Sequence, residues 1–200
     1  MLKLLYIANC SAPFRLSEIG EKDIFKIERK DTLVDIVTYC LMPNHFHIAV
    51  SARSDLVVDP GISKFVRKLC TGYSGYYNCK YLHSGTIWQG NYKDKIADDE
   101  LDYMRTLISY IHLNPYKLKE PNLTREARFG RREEALAYSR EYEFSGLRDF
   151  LYHEVRPREQ AAILCQTELE RWLYHEVGPR GATDQSPSMP LLLQAPAVLL

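Results

Sequence analysis

The sequence predicts an α+β domain, and three stretches carry that prediction. Leu33–Leu41 and His45–Val50 are apolar runs rich in β-branched residues, separated by Pro43-Asn44; this reads as strand, tight turn, strand. From Asp59-Pro60 to about Tyr81, Ile62, Phe65, Val66, Leu69, Tyr73, Tyr76 and Tyr77 recur at helical spacing. After Asp98-Asp99-Glu100, a second helix carries Leu101, Met104, Leu107, Ile108 and Ile111 and ends at Pro115.

Length and charge bound the rest. Two hundred residues suit one domain plus an appendage. Lys+Arg and Asp+Glu are both 26, so any nucleic-acid site must be local rather than a property of the whole chain. The five cysteines, Cys10, Cys40, Cys70, Cys79 and Cys165, form no CxxC pair and read as free thiols of a reducing, cytoplasmic compartment. No apolar run reaches membrane-spanning length, and no basic-then-apolar leader opens the chain.

Taken in order, Met1–Ala8 reads as the end of a helix, broken by Asn9–Pro13. Phe14–Asp31 is mixed and charged, a loop with a short helical piece. In the hairpin, His45 and His47 lie two apart, so on a strand both imidazoles share a face and can share one metal ion. Phe46 points to the other face. The bland alternative is a pair of satisfied histidines on a half-buried strand.

The helix to Tyr81 has an informative polar side. From Gly61 to Ala97 the basic residues are Lys64, Arg67, Lys68, Lys80, Lys93 and Lys95, against the single acid Asp94. With Tyr73, Tyr76 and Tyr77 to stack on bases, this is a candidate phosphate-tracking surface; the bland alternative is a solvated helix face. Gly72 and Gly75 weaken this helix or admit a neighbouring backbone. Thr86–Ala97 reads as a strand or short hairpin around Gln89-Gly90.

On the second helix Tyr110 and Asn114 are four apart, hence on one face. Asn114 can offer an amide oxygen to a hard cation, and Tyr110 can stand beside it as nucleophile. A core-edge tyrosine and an Asn closing a helix before Pro are the bland alternatives. Tyr103 is a competing tyrosine two turns earlier, and His112 points elsewhere and reads as structural.

Beyond Pro121 the chain is dense in charge, then helical from Ala135 to Leu151 with a break at Ser145-Gly146. Leu151-Tyr-His-Glu-Val-Arg-Pro-Arg158 recurs as Leu173-Tyr-His-Glu-Val-Gly-Pro-Arg180. His153/Glu154 and His175/Glu176 in these copies suit solvated helix ends better than metal sites. Two copies are too few for a solenoid. The expected division is 1–120, a helical extension over 121–177, and a disordered tail over 178–200.

YCLMPNHFHIAV, SGTIWQGNYK and YIHLNP, in this order and spacing, resemble the Y1 transposases of the IS200-like superfamily, nearest to the REP-associated tyrosine transposases. The likeness covers roughly residues 1–155 and is strongest from Leu33 to Glu120. It implies a ferredoxin-like antiparallel sheet with helices on one face, a homodimer, and cleavage and rejoining of single-stranded DNA that carries a foldback hairpin. His45 and His47 match the family's metal-binding histidines, Tyr110 its nucleophile, and Asn114 the polar residue one turn later. The resemblance implies Mg²⁺ or Mn²⁺ as cofactor. It also implies a 5′-phosphotyrosine intermediate with a free 3′-OH. Tyrosine is a weak acid, so a cation and a positive surround must help it deprotonate.

Two departures stand out. Asn91 occupies a position where relatives carry Arg. The chain also starts inside the helix that in relatives follows a first strand. The expectation is therefore a sheet lacking that strand, with a bare edge beside His45 and His47 and a stranded neighbour near Trp88. An incomplete product, or a start placed too late, follows from that expectation. The alternative to a strand transferase is a decayed or domesticated, non-catalytic binder of hairpin DNA. A third reading is a metal phosphodiesterase that uses water.

Overall fold

The computed structural model describes residues 1–15, 24–29, 31–53, 61–96, 101–151 and 190–196. The predicted hairpin is its centre. Strand β1 (Val34–Met42) pairs antiparallel with β2 (His45–Ala52), with Met42 opposite His45 and Cys40 opposite His47. A bulge falls between Ile36 and Thr38. Helix α1 (Leu2–Ala8) precedes the hairpin and α2 (Gly61–Tyr81) follows it. Next come β3 (Lys93–Ile96), α3 (Leu101–His112) and a 3₁₀ turn (Asn114–Leu118). Three short helices follow, α4 (Arg125–Gly130), α5 (Arg132–Glu141) and α6 (Leu147–Leu151).

The sheet corrects the expected topology at one position. Strand β4 (Pro190–Pro196) stands between β2 and β3, antiparallel to both, in the order β1-β2-β4-β3. His47 pairs with Gln194, and Gln194 with Lys93. The edge expected to be bare beside His45 and His47 is thus paired, and β3 has its neighbour. Pro190–Pro196, expected within a disordered tail, is a strand. Its composition permits this. Both prolines sit at the strand ends, where a missing N–H costs least, and the Leu-Leu-Leu-Gln-Ala interior keeps all its donors. A continuous apolar run suits a strand flanked on both sides.

Helices lie on both faces of the sheet, not one. Phe46 packs edge-on to Trp88 at 5.7 Å, and the Trp88 indole N–H donates to the Cys70 carbonyl of α2 at 3.0 Å. On the opposite face, Thr38 Oγ1 and His112 Nε2 of α3 are hydrogen-bonded at 2.7 Å. Adjacent strand residues point to opposite faces, so one hairpin carries both helical layers. Its burial agrees: eight of the nine β1 residues are buried. Helix α1 packs along α2, where Gly72 admits it: a Cβ at Gly72 would lie 3.1 Å from the Leu4 side chain. Among the described residues of the predicted Thr86–Ala97 region, Lys93–Ile96 form the strand.

The start of β1 is pinned by Asn9. Its Oδ1 accepts from the Leu33 and Val34 N–H groups at 3.1 and 3.0 Å, and its Nδ2 donates to the Val34 carbonyl at 2.9 Å. Asn9 is buried. Asn9→Ala strands these groups and is expected to cost about 2–3 kcal/mol in urea unfolding; a change below about 0.5 kcal/mol would show the pin to be idle.

The C-terminal appendage closes the outer edge of β1. The Leu41 N–H donates to the Phe144 carbonyl at 2.8 Å, and the Gly146 N–H to the Tyr39 carbonyl at 2.9 Å. The Tyr142 hydroxyl donates to the Leu41 carbonyl at 2.6 Å. This protects an edge that would otherwise template another chain. The Asp59-Pro60 and Asp98–Glu100 helix starts and both copies of the repeat, apart from its first residue Leu151, lie outside the described residues, as do His153/Glu154 and His175/Glu176.

Candidate active site

Sheet and helix bring three of the predicted residues together. The β2 pleat puts His45 and His47 on one face, their ring centroids 4.9 Å apart and edge-on. Helix α3 crosses that face and lays the Tyr110 ring 5.5 Å from His47. Asn114 opens the 3₁₀ turn one helical turn later and is fully buried. Tyr103, the competing tyrosine, has Lys95 Nζ 5.1 Å from its ring centroid.

The polar atoms here are the informative feature. Both ring nitrogens of His47 and both amide atoms of Asn114 are buried without a hydrogen-bond partner among the described residues. Buried polar groups are normally satisfied, and an orphan costs about 1–3 kcal/mol. Nitrogen and oxygen donors left without partners in this way fit the chemistry of a divalent cation, which His45, His47 and Asn114 would hold. Among the described residues no group of three His, Cys, Asp or Glu side chains could hold a metal ion, so among them a third ligand beside the two histidines would be of another type, such as the Asn114 amide.

Electrostatics favour the neutral form of both imidazoles. Burial, the neighbouring His45, and the Lys117 and Arg128 charges hold His47 down to about 3. Burial and Lys117 lower His45 as well. His45 Nδ1 lies 2.7 Å from Asn44 Oδ1. An amide oxygen only accepts, so Nδ1 carries the proton and Nε2 keeps its lone pair for a cation. Asn44, read from sequence as a turn former, thus also orients the His45 ring. His112 is structural, as expected: fully enclosed, bonded to Thr38, and held down to about 3 by burial.

These shifts set an acid limit. Both folded-state values lie below the ordinary 6.5, so between pH 6.5 and about 3 the unfolded chain binds more protons than the folded one. The stabilisation is complete above pH 6.5 and is lost as pH falls. In chelator, Tm is expected to drop on the order of 10 °C from pH 7 to pH 4, and less in His47→Asn. An equal drop in the two proteins would contradict the assignment to His47.

The nine residues of the candidate DNA surface separate. Lys64, Arg67, Lys68, Tyr76 and Lys80 line one groove of about 920 Å³ between α2 and the Ser11–Phe14 segment. Lys68 is engaged there, donating to the Cys10 and Ala12 carbonyls. Tyr73 and Tyr77 instead form an aromatic row along α2, Tyr73 against Trp88 at 5.7 Å and Tyr77 against Tyr81 at 4.6 Å. Lys93 and Lys95 lie on β3. Because α2 covers the Phe46 face, the groove is on the far side of the sheet from Tyr110.

Two residues beside Tyr110 were not anticipated. Lys117 Nζ is 5.7 Å and the Arg128 guanidinium carbon 6.0 Å from the Tyr110 ring centroid. Nothing in a charge-dense segment marks which cations fold back, although Lys117 follows the Asn114-Pro115 turn closely enough to have been a candidate.

No helix among the described residues is long and apolar enough to cross a membrane. No curated protein and no solved structure matches the chain. Residues 18–114 match the family model described as transposase IS200 like, and over that span, which contains His45, His47, Tyr110 and Asn114, the chain is similar to the IS200-like transposases.

Proposed function

We propose that this chain is a metal-dependent Y1 transposase of the REP-associated branch, cleaving and rejoining hairpin-bearing single-stranded DNA through a 5′-phosphotyrosine. One observation carries the reading: the Tyr110 ring lies 5.5 Å from that of His47, whose buried ring nitrogens have no partner among the described residues. The order of the β strands supports a ferredoxin-like sheet in which β4 takes the central place. Bound Mg²⁺ or Mn²⁺ would supply Lewis-acid polarisation of the scissile phosphate.

The chain's own groups do the rest. His45, oriented by Asn44, and His47 present neutral nitrogens. Tyr110 attacks phosphorus in line with the departing 3′ oxygen, which leaves as a hydroxyl once protonated. The phosphotyrosine conserves the phosphodiester's energy, so a second 3′-OH can reverse the step without ATP. His47 and Tyr110 meet within one chain, which supports use of Tyr110 beside its own chain's histidines; the proposed homodimer would serve DNA handling. The non-catalytic alternative was motivated by a bare edge beside His45 and His47, and β4 pairs that edge.

Mn²⁺ titration by electron paramagnetic resonance tests the ligand set. His47→Ala is expected to abolish tight binding, and Asn114→Ala to weaken it about tenfold or more. Binding unchanged in both variants would overturn the metal assignment.

A further inference from the structure

Lys117 and Arg128 lie beyond the span that matches the family model, yet both flank Tyr110. Their placement is built rather than incidental. Lys117 sits in the 3₁₀ turn that continues α3. Arg128 is 5% exposed and projects from α4. Helix α5 packs on the turn through Ala135, Leu113 and Tyr116, so turn and appendage form one unit.

The cost of this arrangement is informative. Burial and the Arg128 charge lower Lys117. Two positive groups stand 5.7 and 6.0 Å from one tyrosine ring centroid, a setting that attracts an anion. A phosphodiester carries one negative charge, and its five-coordinate transition state carries more. A guanidinium offers paired donors to phosphate oxygens, and an ammonium a compact charge.

We propose that Lys117 and Arg128 form an anion clamp for the non-bridging oxygens of the phosphate attacked by Tyr110, so that the C-terminal appendage completes the active site. The inference rests on the Tyr110 reading. As the Tyr110 oxygen bonds to phosphorus and the P–O3′ bond breaks, the clamp holds the oxygens on which charge accumulates; the phenol proton ends on the 3′ hydroxyl by way of solvent. The same clamp then holds the phosphotyrosine until a new 3′-OH arrives.

The test uses the full chain, Mn²⁺ and labelled hairpin oligonucleotide, with the single-turnover rate of covalent adduct formation as readout. Arg128→Ala is expected to slow it about 10²-fold or more, and Lys117→Ala about tenfold. Mn²⁺ affinity without DNA should hold or tighten. Millimolar guanidinium should restore part of the Arg128→Ala rate, a rescue that a merely structural arginine would not show. Since Arg128 is buried and its loss can unfold α4, Lys117→Ala carries the test alongside it. A second arm measures inorganic phosphate binding in chelator, expected in the native chain and weakened in Lys117→Ala. Native adduct rate and native phosphate affinity in Lys117→Ala overturn the clamp. Phosphate binding that depends on Lys117, in a native chain that forms no adduct, would instead sink the Tyr110 reading and leave the anion site standing.

Discussion

Leu193→Pro is expected to dismantle the half of the sheet that holds the histidines. Leu193 is at the middle of β4, paired with Ile48 on one side and Asp94 on the other. Proline there removes a ladder donor and clashes with the neighbouring strand, a cost of about 3 kcal/mol or more in an interior strand. The consequence is uneven. Strand β1 keeps its pairing with β2 and its cover from the Phe144–Gly146 segment, whereas among the described residues β3 is joined to the sheet through β4. Hydrogen exchange should show lost protection in β3 and on the inner edge of β2, with the β1 side retained. Tm should fall by about 6–12 °C, and Mn²⁺ affinity should fall with the loss of order at His45 and His47. Unchanged protection in residues 45–50 would mean that β4 does not occupy this position.

Tyr110→Phe is the sharper functional prediction. It removes one oxygen and keeps the ring that packs on His47. Fold and Mn²⁺ binding should survive, with a stability change within about 1 kcal/mol, because Tyr110 is only half-buried. Strand cleavage should fall by about 10³-fold or more, since the proposed nucleophile is removed rather than weakened. Tyr103→Phe, at the tyrosine beside Lys95, should leave the rate within about twofold.

The hairpin and the candidate centre were legible for definite reasons. Pro43-Asn44 between apolar runs locates the turn, period two puts His45 and His47 together, and period 3.6 puts Tyr110 and Asn114 on one face. The two-sided cover of the sheet was written in the near-continuous apolar run of Val34–Met42, which lacks the alternation of a half-solvated strand. The family resemblance drew the expectation to one face instead. Strand β4 was hidden because Pro-Leu-Leu-Leu-Gln-Ala-Pro has no alternation and sits in Pro- and Ser-rich sequence. Nothing local records a pairing with Ile48, far away in the chain. Lys117 and Arg128 were hidden for the same reason: tertiary folding, not spacing, decides which charges meet Tyr110.

The most direct test of the account is covalent capture. Full-length protein, Mn²⁺ and end-labelled single-stranded hairpin oligonucleotide are mixed, resolved on a denaturing gel, and the linked residue is identified by peptide mass spectrometry. The account predicts a protein–DNA adduct on Tyr110 joined to the 5′ phosphate, a free 3′-OH on the released strand, and no adduct from Tyr110→Phe. Cleavage that leaves a free 5′ phosphate and no adduct would make water the nucleophile and contradict it.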